Sequence, residues 1–570
     1  MTTAGKGLER SYLDEQFEVS NWEKLEPLFE ELVQRPINSL QALEQWIFDR
    51  NELEAVVEEN SRWRYIKVSV DNNDEQASQN FRYFVEHITP KLSPYKHQLN
   101  QKLIDSPFVN QLDQDRYFVY LRAVKNALQL FQESNIPLFT EEKIRTKEYG
   151  GYSAEMTIQI KGEELTMQQA NVLQLDPNRE LREEAWRKTA ERRLQDAEKL
   201  DALFNDLLDI RKQVAENAGF DNFRDYKFAA LGRFDYTPED CSDFHDAVAK
   251  YIVPLVDQFN QKRLADLQLD KLRPWDMQVE TSGDDPVKPY QGVEELIEKS
   301  IKSMAAVHPF FGECISTMRD MNHLDLDSRK GKRPGGYNMS LPETGVPFIF
   351  MNSADSLRDM RTMMHEGGHA VHAFLTRKMP LNIDKRPPSE IAELAAMAME
   401  MLTMDQWGEF YPNEEQLQKA KLWQLQRSLA LIPWIATIDK FQHWLYTNPG
   451  HSVEERDAAW TRIFHEFESP LVDWSGLEQY RDKYWQRQLH IYEVPFYYIE
   501  YGIAQLGAMA VRRKYCKQPQ EAVDQYINAL KLGYTRPIRE VYKTAGIAFD
   551  FSAAYIQELA AFMQEEIDKF

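Results

Sequence analysis

The segment that most constrains this chain is residues 361–375, which read RTMMHEGGHAVHAFL. His365 and His369 are four positions apart, so on a helix they would lie one turn apart on the same face. Their rings could then bind one metal ion at about 2.0–2.1 Å. Glu366 would be turned by about 100° from them, within reach of a water molecule on that ion. The segment therefore predicts a helix that carries two metal ligands and a base.

Two further features of this helix narrow its role. Gly367 and Gly368 stand between the histidines, and each glycine in a helix costs about 1 kcal/mol relative to alanine. Such a pair is expected where another backbone, or a substrate, must come close. His372 lies seven residues beyond His365, about 10.5 Å along the helix axis. We therefore expect His372 to pack in the core or to contact a ligand residue, and not to bind the ion.

A catalytic zinc site needs a third protein ligand, and the next predicted helix offers carboxylates. It begins after Pro387-Pro388 and contains Glu390, Glu393 and Glu400. Glu390 lies in the first turn, where the helix dipole favours a carboxylate. Glu393 lies among Leu, Ala and Met, and a buried glutamate is rare unless it is paired or bound to metal. The residues alone leave the third ligand open.

Composition excludes several classes of protein. The 570 residues carry 68 basic and 91 acidic side chains, a net charge of −23, which disfavours nucleic acid or a membrane surface as a partner. No run of 18 apolar residues and no apolar leader is present, so we expect a cytoplasmic location. The cysteines, Cys241, Cys314 and Cys516, are far apart and are expected to be buried thiols, with neither a disulfide framework nor a thiolate zinc cluster.

Helical periodicity runs through most of the chain and predicts a mainly α fold. A change in character near residue 190 predicts an N-terminal helical region, 1–190, with a small hairpin at 155–164. Residues 191–570 are then a helical catalytic domain. The short run PFIFMN at 347–352 predicts a strand just before the helix that carries HEGGH.

The HEGGH helix, with Glu393 in an AELA setting 24 residues after His369, resembles the oligoendopeptidase F and thimet oligopeptidase family of zinc metallopeptidases. The resemblance implies that His365, His369 and Glu393 bind one Zn²⁺ ion. It also implies that Glu366 is the general base and that Glu400 supports a ligand histidine.

Two stretches before the HEGGH helix extend the resemblance. Residues 329–337 resemble the Gly-Gly-Tyr loop of the family, here Gly335, Gly336 and Tyr337. Residues 347–352 resemble the edge strand along which family members align an extended peptide, and they include Phe348 and Phe350. The resemblance implies that these residues contact substrate.

A third stretch lies at 490–502, HIYEVPFYYIEYG. Family members carry a histidine and tyrosines here that donate hydrogen bonds to the substrate carbonyl oxygen. By this resemblance the donors are His490, Tyr498 and Tyr501, with a spacing that fits the oligoendopeptidase F branch. The choice between Tyr497 and Tyr498 stays open.

The resemblance implies a two-lobed helical metallopeptidase with a deep central channel and a small β-sheet beside the zinc helix. The implied activity is hydrolysis of internal bonds of short unfolded peptides by a metal-activated water molecule. Two alternatives stay open: a zinc metallocarboxypeptidase or dipeptidyl-carboxypeptidase, and a non-catalytic helical peptide-binding protein. The sequence does not predict the cleavage preference, the metal loaded in the cell or the oligomeric state, although a chain of this size can act as a monomer.

Overall fold

The computed structural model describes residues 7–281 and 288–570, and its backbone is largely helical, which confirms the mainly α class. The α-helices in chain order are α1 Trp22–Gln34, α2 Leu40–Val70, α3 Glu75–Tyr83, α4 Thr89–Asp105, α5 Gln114–Leu130, α6 Asn135–Glu155, α7 Met167–Val172, α8 Arg179–Gln195, α9 Ala197–Asn217, α10 Phe223–Ala230, α11 Pro238–Ala247, α12 Val253–Asp266, α13 Gly292–Val307, α14 Pro309–Asp320, α15 Leu357–Thr376, α16 Ser389–Thr403, α17 Glu414–Thr447, α18 Val453–Phe467, α19 Glu478–Asp482, α20 Leu489–Glu493, α21 Ile499–Lys517, α22 Pro519–Leu530, α23 Ile538–Thr544 and α24 Ala553–Ile567. The strands are β1 Thr157–Ile160, β2 Glu163–Thr166, β3 Leu324–Asp327, β4 Tyr337–Met339 and β5 Phe348–Ser353.

The chain divides into two compact units that are interleaved along the sequence. Unit 1 comprises the described parts of Met1–Gln129, Val287–Lys421 and Ala504–Phe549. Unit 2 comprises the described parts of Leu130–Pro286, Leu422–Ile503 and Asp550–Phe570. The linear boundary near residue 190 stays a prediction.

A three-stranded sheet in unit 1 leads into the HEGGH helix. Its order is β3-β5-β4, with β5 parallel to β3 and antiparallel to β4. The strand predicted at 347–352 therefore exists as β5, but the prediction that it is an edge strand is wrong. Phe348 and Phe350 are 6 % and 1 % exposed and pack with Ile66 and Leu341. These two phenylalanines are core residues because other side chains pack against them, and their contact with substrate stays a prediction.

The close approach of α15 and α16 explains the two glycines of HEGGH. A Cβ atom added to Gly368 would lie 2.4 Å from the carbonyl oxygen of Ala395 and 2.6 Å from Cα of Ala396, both in the backbone of α16. A Cβ atom at Gly367 would lie 2.8 Å from Sδ of Met304. The expectation that a second backbone approaches this helix is met at Gly368.

The start of α15 is fixed by a capping box. Ser356 Oγ accepts a hydrogen bond from the backbone N–H of Asp359, and the Asp359 carboxylate in turn accepts from the N–H of Ser356. These bonds satisfy donors that the first turn of a helix otherwise leaves unpaired. Since β5 ends at Ser353, the helix begins within a few residues of the sheet.

Unit 2 contains the predicted hairpin, in which β1 pairs antiparallel with β2 across Lys161 and Gly162. The cysteine prediction holds for Cys241 and Cys314, which are buried, but it is wrong for Cys516, which is exposed on α21. None of the helices in the described ranges combines the length and the apolar character needed to cross a bilayer.

Candidate active site

Three side chains from α15 and α16 converge in unit 1. One ligand atom each from His365, His369 and Glu393 lies within 4.8 Å of the other two. His365 Nε2 is 3.3 Å from Glu393 Oε2, and the two histidine rings are 5.0 Å apart between centroids. Two imidazoles and one carboxylate are a donor set of catalytic zinc sites, so the residues fit a divalent metal. We call these three residues the HEGGH cluster.

Glu366 is buried beside the HEGGH cluster. Its side chain is 7 % exposed, and Oε2 has no hydrogen-bond partner among the residues that the structure describes. Burial raises the pKa of Glu366 to about 7, and the negative charges of Glu393 and Glu400 act in the same direction. A carboxyl group that exchanges its proton near neutral pH is suited to general-base catalysis.

Glu400 holds His365 from the side opposite its metal-facing nitrogen. Glu400 Oε1 is 2.8 Å from His365 Nδ1, and Arg361 Nη1 donates a 3.0 Å hydrogen bond to Glu400 Oε2. Such carboxylate–histidine contacts fix the ring orientation of a metal ligand. Arg361 was not among the residues predicted, although it precedes His365 by four residues on the same helix face.

Of the other polar residues of α15 and α16, His369 belongs to the HEGGH cluster, whereas His372 and Glu390 do not. Burial lowers the pKa of His369 to about 4, so this ring is neutral and its nitrogen lone pair can bind metal. His372 is buried and its pKa falls to about 3, but it contributes no atom to the ligand group. Glu390 is also buried, and within the described residues the ligand group contains Glu393 instead.

The predicted Gly-Gly-Tyr loop leads into the edge strand β4. Gly335 has φ +101°, a backbone conformation that favours glycine. Tyr337 stacks on the core residue Phe350 with ring centroids 4.9 Å apart. Asn338 Nδ2 donates a 3.0 Å hydrogen bond to the backbone carbonyl of Glu366. This bond, which the sequence did not reveal, joins β4 to the HEGGH helix.

The predicted donors near the C-terminus form a ring cluster in unit 2. The His490 ring lies 4.8 Å from Tyr498 and 6.3 Å from Tyr501 between centroids. Tyr497 lies 5.3 Å from Tyr501, so both candidate tyrosines belong to the cluster. Burial lowers the pKa of His490 to about 4 and raises the pKa of Tyr498. His490 is therefore neutral and Tyr498 protonated at neutral pH, as hydrogen-bond donors to an oxygen must be.

A buried clamp orients the segment that carries these tyrosines. Phe496 has φ +66°, which is uncommon for a bulky residue. Its N–H donates a 2.7 Å hydrogen bond to Gln442 Oε1, and its carbonyl accepts from Arg233. Arg233 also pairs with Glu500 at 2.9 Å. These residues were not predicted, because their contacts join segments that are far apart in the sequence.

Comparisons with known proteins identify the family of this chain. The family model described as Peptidase family M3 matches residues 172–561, and the Peptidase M3 N-terminal domain matches residues 12–131. Oligopeptidase PepF of Bacillus subtilis is 23 % identical over 61 % of this chain and 51 % of its own length. An oligoendopeptidase F homolog of Lactococcus lactis is 22 % identical over 56 % of this chain and 52 % of its own length. The chain thus spans about half the length of the curated relatives it matches.

Solved structures match over nearly the whole chain. A structure of PZ peptidase A with an inhibitor has a TM-score of 0.89 and 26 % identity, covering 98 % of this chain and 99 % of that one. Oligoendopeptidase F from Enterococcus faecium, at 15 % identity, a TM-score of 0.67 and coverage of 96 % and 97 %, shares the fold. The family resemblance inferred from the motifs is confirmed: this chain belongs to peptidase family M3.

Proposed function

We propose that this chain is a zinc-dependent oligopeptidase that hydrolyses internal bonds of short peptides. The observation that carries the proposal is the HEGGH cluster with the buried, unpartnered carboxylate of Glu366 beside it. The names of the relatives, oligopeptidase and oligoendopeptidase F, support the same activity. A cytoplasmic location stays a prediction.

His365, His369 and Glu393 would hold the ion. The nitrogen and oxygen donor set suits zinc, although such sites also accept neighbouring transition metals. Zinc bound there would polarise a peptide carbonyl and make a water molecule more acidic.

Glu366 is the proton carrier in this proposal. It accepts a proton from the water molecule as the oxygen attacks the peptide carbon, and it later donates that proton to the amine nitrogen as the C–N bond breaks. Glu366 ends ionised, as it began. Glu400 and Arg361 keep His365 in one orientation throughout, so the ligand geometry need not reorganise during the reaction.

The carbonyl oxygen gains negative charge as water attacks, and from the family resemblance of residues 490–502 alone we propose His490, Tyr498 and Tyr501 as its hydrogen-bond donors. Removing one such donor typically costs about 3–4 kcal/mol of barrier. Because His490 is neutral, its ring has one N–H group to donate. Burying the neutral ring also avoids the cost of desolvating a charge.

The edge strand β4 is proposed to align the substrate, in place of the buried β5. On the side away from β5, β4 has no partner strand among the described residues, and its three residues are partly exposed. A peptide paired there would be held by main-chain hydrogen bonds, which do not depend on its sequence.

The test is cleavage of a peptide library in which every member is blocked at both termini, with products identified by mass spectrometry. We expect internal cuts that a chelator abolishes and added Zn²⁺ restores. Cleavage only of peptides with a free C-terminus would favour a carboxypeptidase or dipeptidyl-carboxypeptidase. Bound metal without hydrolysis of any peptide would favour the non-catalytic peptide-binding protein.

A further inference from the structure

A second group of metal-type side chains lies in unit 2, on α11 and α17. Cys241 and His245 are four residues apart on α11, and Asp439 and His443 are four residues apart on α17. Each pair therefore lies on one helix face, one turn apart. One ligand atom each from Cys241, Asp439 and His443 lies within 4.8 Å of the other two. We call these three residues the Cys241 cluster.

The carboxylate of Asp439 is the centre of the Cys241 cluster. It is fully buried, and its Oδ2 lies 2.9 Å from His245 Nε2 and 3.2 Å from His443 Nε2. Asp439 Oδ1 has no hydrogen-bond partner within the part of the chain that the structure describes. Burying a polar atom without a partner is costly, so this oxygen points to a further ligand.

The spacing of these donors matches that of the HEGGH cluster. His443 Nε2 and Asp439 Oδ2 are 3.2 Å apart, and His365 Nε2 and Glu393 Oε2 are 3.3 Å apart. Two donors at about 2.0–2.1 Å from a tetrahedral ion stand roughly 3.3 Å apart. Both clusters therefore present a nitrogen and an oxygen at the separation that one shared ion requires.

The chemistry of the donors selects the kind of ion. A thiol, an imidazole and a carboxylate are ligands of zinc and related transition metals, whereas magnesium and calcium prefer oxygen alone. With the thiol ionised, the cluster carries two negative charges, which balance a divalent ion.

We propose that Cys241, Asp439 and His443 bind a second divalent transition-metal ion, with Zn²⁺ as the preferred metal and His245 orienting the Asp439 carboxylate. Such an ion would join α11 to α17. The aromatic rings of Phe228 and Phe496 pack against His443, with centroids 5.8 and 5.3 Å away.

The site also supports the segment that carries the tyrosine cluster. His443 packs against Phe496, and its chain neighbour Gln442 accepts the Phe496 N–H. An ion that fixes α17 against α11 thus fixes the base of the turn from which Tyr497 and Tyr498 follow. This proposal concerns metal binding and does not depend on the proposed peptidase activity.

The test uses Co²⁺ as the probe, because a cobalt–thiolate bond gives a near-ultraviolet charge-transfer band that a site of histidine and glutamate ligands cannot give. The full-length protein is freed of metal with a chelator and titrated with Co²⁺, while bound metal is counted by mass spectrometry. We expect two equivalents of Co²⁺ and the thiolate band. Cys241→Ser should bind one equivalent and lose the band.

The double variant Cys314→Ser/Cys516→Ser is the matched control, because Cys241 is then the only thiol left. It should keep both equivalents and the band. If Cys241→Ser fails to fold, Glu393→Ala tests the same point, since it should retain one equivalent with the thiolate band. One equivalent without a thiolate band in the unmodified protein would overturn the proposal and leave a hydrogen-bonded His–Asp–His network. A band that persists in Cys241→Ser would also overturn it.

Discussion

The HEGGH cluster in unit 1 and the Cys241 cluster in unit 2 have a similar arrangement of potential metal ligands but different neighbouring residues. In each cluster, one helix supplies two side chains that are four residues apart. A second helix supplies the third side chain, which is a carboxylate in one cluster and a thiol in the other. In the HEGGH cluster the pair is two histidines, and Glu366 stands beside them with an unpartnered oxygen. In the Cys241 cluster the pair is Asp439 and His443, and the neighbours of His443 are the rings of Phe228 and Phe496.

The difference teaches that ligand geometry alone does not decide between catalysis and structure. A nitrogen and an oxygen lie 3.2 to 3.3 Å apart in both clusters. Only the HEGGH cluster, of the two, has a carboxylate suited to move a proton, and only the Cys241 cluster has a sulfur donor that favours tight binding of zinc. The type of ligand and the side chains beside the ligands, rather than the spacing of the donors, distinguish the two clusters.

The largest expected effect is the loss of activity on substituting Glu366, and it tests whether the two clusters differ in function. Glu366→Gln should lower kcat by about 10²- to 10⁴-fold, because the amide cannot accept the proton of the attacking water. Metal content should be unchanged, since Glu366 is not a ligand. Steady-state hydrolysis of a blocked peptide measures the loss, and Glu313→Gln, an exposed substitution on α14, is the control. Near-normal hydrolysis by Glu366→Gln would show that Glu366 is not the general base. The contrast drawn between the two clusters would then be wrong.

A smaller effect is expected at the residue that orients His365. Glu400→Gln should weaken metal binding by about 10- to 100-fold, because the pairing with Arg361 and the charged contact to His365 Nδ1 are lost. Competition with a chromophoric chelator measures the affinity, and Glu409→Gln, exposed after α16, should leave it unaltered. If both variants bind metal equally well, Glu400 does not support the ligand.

The backbone contact between α15 and α16 predicts a loss of stability. Gly368→Ala should reduce the free energy of unfolding by about 1–3 kcal/mol, since the new methyl group meets the backbone of Ala395 and Ala396. Gly502→Ala in unit 2 is the matched variant. Its methyl group meets the side chains of Phe244 and Ile435 at 2.8 and 3.1 Å, and side chains can move aside. Thermal unfolding should show a larger loss for Gly368→Ala, and the reverse order would contradict the tight backbone contact.

The smallest effect concerns a histidine outside both clusters. Burial lowers the pKa of His490 to about 4 from an ordinary value of 6.5. The unfolded chain therefore binds a proton at a higher pH than the folded chain, and stability falls as the pH drops from 6.5 to about 4. His490→Gln should lose less stability over this window, as measured by denaturant unfolding at each end of it. An equal loss in both proteins would show that His490 does not contribute.

Much of the HEGGH cluster could be predicted because its ligands are close in the sequence. His365, Glu366 and His369 lie within one motif, and Glu393 lies on the next helix. Periodicity likewise predicted the mainly α fold. Arg361 could have been found, since it shares the helix face of His365.

Other features depend on tertiary packing that periodicity does not report. The run at 347–352 reads as a strand, but its central position in the sheet follows from β3 and β4 pairing on either side. Cys241 and Asp439 are separated along the chain by a whole segment of unit 1, Val287–Lys421, and each alone is an ordinary buried residue. Only the packing of α11 on α17 makes them neighbours.

The short length of β4 limits how many residues of a bound peptide could pair with it. Three strand residues extend about 10 Å, and the hydrogen bond from Asn338 fastens them to the carbonyl of Glu366. A peptide paired along β4 would form main-chain hydrogen bonds over about three of its own residues, and its side chains would point away from the pairing edge. Selection among bound peptides would then depend little on the order of their residues.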